Sequence, residues 1–303
     1  MRLLKKVEEM KLNNNENAVV TISMKQIIVK SSVIRIFLGL SICLSAIIIV
    51  QQIFQKIPGV GLLSTDLRNL LKGVVVSFFA IGSYAGFYRK YEKRIITELS
   101  IEGIGKILFS GLIIGVGLQC LTILVIYLAG SFKIISINAF STLIIPFTVA
   151  ITVAIIEEIL LRGIVFRITE ERLGSVIALI ISGIIFGGLH LINPHVTLVS
   201  TLCTTTVGIF LGAAYMYYRS LWFPVAIHFA WNFAQNAIFG AVTSGNEKTA
   251  SLLTTKLEGS EIITGGQFGP EAAIQTLLFF LGATVAIIIL LNKHNKLIKP
   301  YWE

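Results

Sequence analysis

The stretch AIIEEILLRGIVF, residues 154–166, places two carboxylates and a guanidinium inside an apolar run that begins near Phe140. Of the 303 residues, 55% are apolar and 14% are charged, whereas soluble domains carry about 25% charged residues. A charged side chain within a membrane span costs roughly 2.5–3.5 kcal/mol on insertion scales. The stretch therefore indicates a membrane protein in which Glu157, Glu158 and Arg162 face the interior of a helical bundle.

Eight segments are long and apolar enough to be predicted as membrane spans, because a spanning helix needs about 20 mainly apolar residues. The expected fold class is all-α, a polytopic membrane protein with about eight transmembrane helices. We expect residues 1–31 to form a cytoplasmic N-terminal extension and residues 32–303 a single transmembrane domain. The predicted spans are approximately 33–54, 70–88, 107–130, 140–168, 174–192, 196–218, 221–240 and 272–292.

The basic residues are divided unevenly between the two sides that these spans define. With the N-terminus in the cytoplasm, 19 of the 25 Lys and Arg residues fall on the inner side and six on the outer side. This asymmetry follows the positive-inside rule and predicts that both termini are cytoplasmic. The basic residues separate apolar runs and form no single stripe, which argues against a nucleic-acid partner. The segment 241–270, rich in Gly, Ser and Thr, is expected to be a flexible outer loop.

Helical geometry separates the three charged residues of the opening stretch. Successive residues differ by about 100° around a helix, so Glu157 and Glu158 cannot occupy one face. Glu158 and Arg162 are four residues apart and are expected to pair on one side of the helix. Glu157 has no local cation and is free to act on another group. A purely structural ion cluster is the alternative for all three residues.

A second polar position follows in FGGLH, residues 186–190. Phe186 and His190 share a helical face. Gly183 and Gly187 form a small-xxx-small pair, which allows close approach of a neighbouring helix. A histidine in such a position is often a hydrogen-bonded core residue, and that remains the alternative to a functional role.

A third polar position is HFAWN, residues 228–232. His228 and Asn232 share a face, and Gln235 and Asn236 continue the polar stripe. An apolar helix with such a stripe needs a polar partner or water on that side. The alternative is that these side chains only join helices by hydrogen bonds.

Two Glu, two His and one Asn in three different spans are suited to the attack of water on a carbonyl. A glutamate can take a proton from water, and a histidine can orient that water or protonate the leaving amine. Asn and His donors can stabilise an oxyanion. Two His and one Glu also match a catalytic zinc site, although the HExxH helix of zincins is absent from the sequence. The cofactor is therefore unknown, with zinc possible.

The order EExxxR, FxxxH and HxxxN resembles the three motifs of CPBP intramembrane proteases, a family that includes CAAX prenyl endopeptidases and Abi-type proteins. The motifs read EEILLR at 157–162, FGGLH at 186–190 and HFAWN at 228–232, within a core at about residues 140–240. The resemblance implies an intramembrane endopeptidase that hydrolyses a peptide bond in a membrane-associated or peptide substrate.

The resemblance also implies a role for each motif residue. Glu157 would be the water-activating base, assisted by His190. His228 and Asn232 would form the oxyanion site. The expected catalytic set is Glu157, Glu158, His190, His228 and Asn232, with Arg162 and Phe186 as supporting residues.

These roles require residues on different helices to meet at one depth. Glu157 lies late in a span that runs inward, and His190 lies late in one that runs outward. The fourth helix must therefore continue past Arg162. We expect the polar residues to face a hydrated cavity that opens towards the cytoplasm.

The implied partners are a peptide or membrane-protein substrate and the lipid bilayer, with no nucleic acid. The expected location is the cell membrane as a multi-pass protein, and the content of Ile, Lys and Asn indicates a bacterial cytoplasmic membrane. A non-catalytic scaffold or regulator, for example in peptide immunity or signalling, is an alternative. A proton-coupled transporter is another, since intramembrane Glu and His serve as proton relays, but no inverted repeat is visible in the sequence.

Overall fold

The computed structural model describes residues 31–302, so the predicted extension 1–31 lies almost entirely outside the described residues. Most of the described chain is helical. The helices are α1 (Ser32–Lys56), α2 (Thr65–Tyr91), α3 (Ile104–Leu128), α4 (Ile144–Glu158), α5 (Arg167–Leu189), α6 (Leu198–Tyr218), α7 (Trp222–Phe233), α8 (Glu261–Thr264) and α9 (Ile274–Lys293). The strands are β1 (Phe132–Ile137) and β2 (Leu253–Leu257), and π-helical turns at Ile159–Phe166 and Ala234–Ile238 extend α4 and α7.

Six helical stretches of the described chain are long and apolar enough to cross a membrane, which agrees with a multi-pass fold. One of them, Phe140–Ile192, covers 53 residues and contains two predicted spans. Gly174 interrupts this stretch with φ 79° and ψ 168°. Glycine adopts such angles without steric cost, and a Cβ at this position would lie 2.8 Å from Pro300 N. The chain therefore turns where the sequence predicted a boundary between spans.

One end of the bundle, here named the ion-pair face, holds residues 92–103, 219–221 and 294–302. Arg167 Nη1 donates a hydrogen bond to Glu92 Oε2 at 3.0 Å on this face. Burial disfavours the charged form of Glu92, but the nearby Arg167 and Arg35 together outweigh that cost and lower the pKa of the Glu92 carboxyl. Dense charge pairing therefore marks this end of the bundle.

The opposite end, here named the sheet face, holds residues 129–139, 193–197 and 239–273. The strands β1 and β2 pair there in antiparallel register, with Phe132 opposite Leu257. This small sheet was not predicted, so the described part of the chain is mostly but not purely helical.

The segment 241–270 differs from the flexible loop that its composition predicted. It contains β2 and α8, and Phe268 within it is buried. The Gly245 N–H donates to the Phe268 carbonyl oxygen at 2.8 Å. Pairing with β1, more than a hundred residues earlier in the chain, orders the segment, and local composition carries no sign of such a distant partner.

The helices α5 and α6 pack closely through Gly183 and Gly187, which confirms the predicted small-xxx-small contact. A Cβ on Gly187 would overlap Thr205 Oγ1 and lie 3.2 Å from the Thr201 carbonyl oxygen. This contact fixes the end of α5, which carries His190, against α6.

Candidate active site

Glu158 and Arg162 form an ion pair that is completely buried. Arg162 Nη1 donates to Glu158 Oε1 at 2.9 Å, and Arg162 Nη2 donates to the Gly208 carbonyl oxygen at 2.7 Å. The guanidinium carbon lies 4.9 Å from the centre of the Phe186 ring. The pair predicted from the i, i+4 spacing is therefore present, and it also joins α4 to α5 and α6.

The fourth helix continues past Arg162, as the site requires. Residues Ile159–Phe166 adopt π-helical geometry, and α-helix resumes at Arg167. Such π-helical turns inside α-helices often occur at functional sites. As predicted, the two glutamates point in different directions from the helix. The Glu158 side chain is 0% exposed, whereas the Glu157 side chain is 31% exposed.

The ring of His228 lies between the two glutamates. Its Nδ1 is 2.9 Å from Glu158 Oε1, and its Nε2 is 4.0 Å from Glu157 Oε2. Because an ionised carboxylate can only accept hydrogen bonds, His228 Nδ1 is the donor to Glu158. Glu158 thus orients the ring so that Nε2 points towards Glu157. Spacing along one helix could not predict this contact, because it joins two helices.

His190 stands at the end of α5 in a defined orientation. Its Nδ1 is 2.8 Å from the Phe186 carbonyl oxygen, which can only accept. When the ring is neutral, Nε2 is therefore a hydrogen-bond acceptor. The rings of Phe186 and His190 also contact each other, with centres 4.9 Å apart. Phe186 thereby supports both His190 and the Arg162 guanidinium.

A cavity of about 340 Å³ connects the motif residues. Glu157, His190, His228 and Asn232 all line it, so the structure brings four members of the expected catalytic set together. Glu158 and Arg162 lie behind the cavity wall. Cavities of this size are typical of small-ligand sites. Much of the remaining lining is apolar and includes Pro146, Val153, Leu211, Trp231 and Phe280.

The polar stripe of α7 divides into two parts. Asn232 and Asn236 line the cavity with His228. Thr249 donates a hydrogen bond to Asn236 Oδ1, which attaches the segment 241–270 to the site. Gln235 is buried elsewhere and its Nε2 donates to the Val242 carbonyl oxygen at 2.7 Å. Gln235 therefore holds the following segment and does not line the cavity.

Glu271 also lines the cavity, and the sequence analysis missed it. It is 6% exposed, and within residues 31–302 its Oε1 has no hydrogen-bond partner. Burial raises the pKa of the Glu271 carboxyl, against the opposing effects of a hydrogen bond from Ser244 and of the nearby His190 and His228. Acidic residues are common in the first turn of a helix, so the position of Glu271 just before α9 carries no distinctive signal.

Across the described chain, no group of three or more His, Cys, Asp or Glu side chains is arranged to hold a metal ion. Glu158 and His228 are instead joined to each other, and Glu158 is joined to Arg162. The groups that face the cavity are the partly exposed carboxylate of Glu157, the imidazoles of His190 and His228, and the carboxamide of Asn232.

The cavity extends towards the sheet face. Its lining includes Asn193 and the exposed Asn246, Glu247 and Thr249, all on that face. The expectation that it opens on the face rich in basic residues is wrong. The reason is that the motif residues lie in the half of the bundle nearer the sheet face, whereas buried side chains and ion pairs fill the other half.

The family model described as type II CAAX prenyl endopeptidase Rce1-like matches residues 139–234. This range contains every residue of the expected catalytic set but not Glu271. No curated protein and no solved structure matches the chain.

Proposed function

The chain belongs to the CPBP/CAAX protease family, and from this premise we propose that it is an intramembrane endopeptidase of a bacterial cytoplasmic membrane. One observation carries the proposal: Glu157, His190, His228 and Asn232, from three different motifs, line a single cavity. The catalytic core is the region at about 140–240 within one transmembrane domain. The substrate is a peptide bond in a membrane-associated protein or peptide.

Glu157 is the base that activates water. Its carboxylate is 31% exposed, in contrast to the fully buried Glu158, so it can meet a water molecule in the cavity. His190 assists, because its Nε2 is free to accept a hydrogen bond from the same water. The water oxygen bonds to the carbonyl carbon, its proton passes to Glu157, and the carbonyl π electrons move to the oxygen.

His228 and Asn232 stabilise the resulting oxyanion. The anionic Glu158 next to Nδ1 stabilises positive charge on the His228 ring. A protonated ring donates from Nε2, and the Asn232 amide supplies a second donor from the next turn of the same helix. Arg162 acts through Glu158 and is a positioning residue, because its guanidinium is completely buried and faces Glu158 and Gly208.

The tetrahedral intermediate then collapses. The proton held by Glu157 passes to the departing nitrogen, the C–N bond breaks, and the oxyanion electrons re-form the carbonyl. The products are a new carboxyl terminus and a new amino terminus. No covalent link to the protein forms.

The proposal is tested with the purified chain in lipid nanodiscs and a library of apolar and mixed peptides, followed by mass spectrometry of the products. We expect cleavage at internal peptide bonds that continues when a metal chelator is present. Intact peptides after prolonged incubation with folded protein would instead favour the scaffold alternative. Cleavage abolished by the chelator and restored by zinc would contradict the metal-free roles given to Glu157 and His190.

A further inference from the structure

The two faces of the bundle differ in their basic residues. Six of the 25 Lys and Arg residues lie in the segments that lead to the sheet face: Lys56, Arg68, Lys72, Lys133, Lys248 and Lys256. Most of the remainder lie at the ion-pair face or in the N-terminal segment that precedes α1. Arg162 is the exception, because it is buried inside the bundle. The positive-inside rule assigns the face with more basic residues, the ion-pair face, to the cytoplasm.

The cavity opens towards the other face. We propose that the site receives its substrate from the side of the membrane away from the cytoplasm, and that this substrate is a membrane-anchored peptide cut next to its anchor. The proposal rests on the proposed endopeptidase function. It names the direction of approach and the class of substrate for that same site.

The rim of the cavity combines exposed polar side chains with an exposed apolar one. Asn246, Glu247 and Thr249 on the sheet face are exposed and polar. Val149 also lines the cavity and is 49% exposed, and it belongs to α4, which lies in a stretch apolar enough to cross a membrane. A substrate that lies across this rim has one part in water and one part in lipid. A peptide has the same arrangement at the point where it emerges from its membrane anchor.

The charges of the lining restrict the residues around the cleaved bond. Glu157, Glu247 and Glu271 line the cavity, and within the described chain no Lys or Arg does. Acidic side chains next to the cleaved bond would meet these three carboxylates. The cleaved bond therefore lies between uncharged or basic residues.

The direction of approach is tested by labelling single cysteines in intact bacterial cells with a membrane-impermeant maleimide. The three native cysteines are first replaced by alanine. Lys248→Cys on the sheet face and Lys93→Cys on the ion-pair face form the matched pair, and both positions are exposed. We expect Lys248→Cys to react in intact cells and Lys93→Cys to react only after permeabilisation. The reverse pattern would overturn the proposal, whether or not the protein is a protease.

The substrate class is tested with single-span reporter proteins that carry a randomised uncharged or basic segment at either end of the span. Co-expression with the parent chain is expected to cleave only reporters with the segment on the outer side. A Glu157→Gln chain serves as the inactive control. Cleavage of the inner-side reporters alone, or of neither set, would overturn the substrate assignment. The cysteine labelling then shows whether the substrate class or the membrane orientation was wrong.

Discussion

Glu158 Oε1 lies 2.9 Å from His228 Nδ1, so the ring that faces the cavity is fixed by a carboxylate with no exposed surface. The same oxygen accepts a hydrogen bond from Arg162 Nη1 at 2.9 Å. One buried carboxylate therefore connects a structural ion pair to a candidate catalytic ring. The sequence pattern placed Glu158 with Arg162, and the structure adds His228.

The first prediction concerns this shared carboxylate. Glu158→Gln leaves the buried Arg162 guanidinium without its counter-ion, and removal of one partner from a buried pair typically costs about 3–5 kcal/mol. The free energy of unfolding in detergent should fall by about this amount. The double variant Glu158→Gln/Arg162→Met should recover part of the loss. Glu247→Gln, at an exposed position, should change it by less than about 0.5 kcal/mol. Equal stability of Glu158→Gln and Glu247→Gln would refute the role of the pair.

A second prediction concerns the oxyanion donor Asn232. Asn232→Ala removes a donor that acts mainly in the transition state, so kcat should fall by roughly 10²–10³ while KM changes little. Steady-state cleavage of a reporter peptide measures both constants. Asn69→Ala, whose side chain bonds to the Thr65 carbonyl far from the cavity, is the matched control. A raised KM with unchanged kcat would show that Asn232 only binds substrate.

The contact between α5 and α6 gives a third prediction, with two adjacent glycines as the matched pair. A Cβ on Gly187 would overlap Thr205, whereas a Cβ on Gly188 has no atom within 4 Å. Gly187→Ala should therefore lower the free energy of unfolding by about 1–3 kcal/mol through overpacking. Gly188→Ala should be neutral or stabilising by up to about 1 kcal/mol, since alanine favours helix. Unfolding curves that coincide for the two variants would contradict this packing.

The pH dependence of stability provides a fourth prediction, through Glu271. Burial raises the pKa of this carboxyl above its ordinary value of 4.5, so the folded state binds its proton more tightly than the unfolded state does. The stability that this proton binding contributes is present below pH 4.5 and is lost as pH rises through the higher folded pKa. Glu271→Gln should therefore make the free energy of unfolding fall less steeply as pH rises from 4.5. A slope identical to that of the parent would show that Glu271 titrates normally.

Several features of the site could be predicted from local sequence because they depend on helical spacing. The pairing of Glu158 with Arg162 and the separate orientation of Glu157 follow from the angle between residues on a helix. The close approach at Gly187 follows from the absence of a side chain. The continuation of the helix past Arg162 was inferred from the need to bring Glu157 and His190 to one depth.

Other features depend on contacts between distant parts of the chain. The π-helical turn after Glu158 shifts the helical phase, and composition gives no sign of it. The pairing of β1 with β2 and the burial of Glu271 arise only when the segment 241–270 folds over the cavity. The predicted direction of the opening was wrong. Counting residues along a helix gives the depth of each motif residue, but it does not show which end of the bundle is closed by packed side chains.

The central claim is that Glu157 activates the water that hydrolyses the peptide bond. The most direct test is the cleavage rate of purified Glu157→Gln in lipid nanodiscs, compared with the parent and with Glu102→Gln, at an exposed position on the ion-pair face away from the cavity. Loss of a general base costs roughly 10²–10⁴ in rate. We predict that Glu157→Gln keeps the unfolding curve of the parent but loses at least about 10²-fold in kcat, while Glu102→Gln retains the activity of the parent. A Glu157→Gln protein that cleaves as fast as the parent would contradict the account.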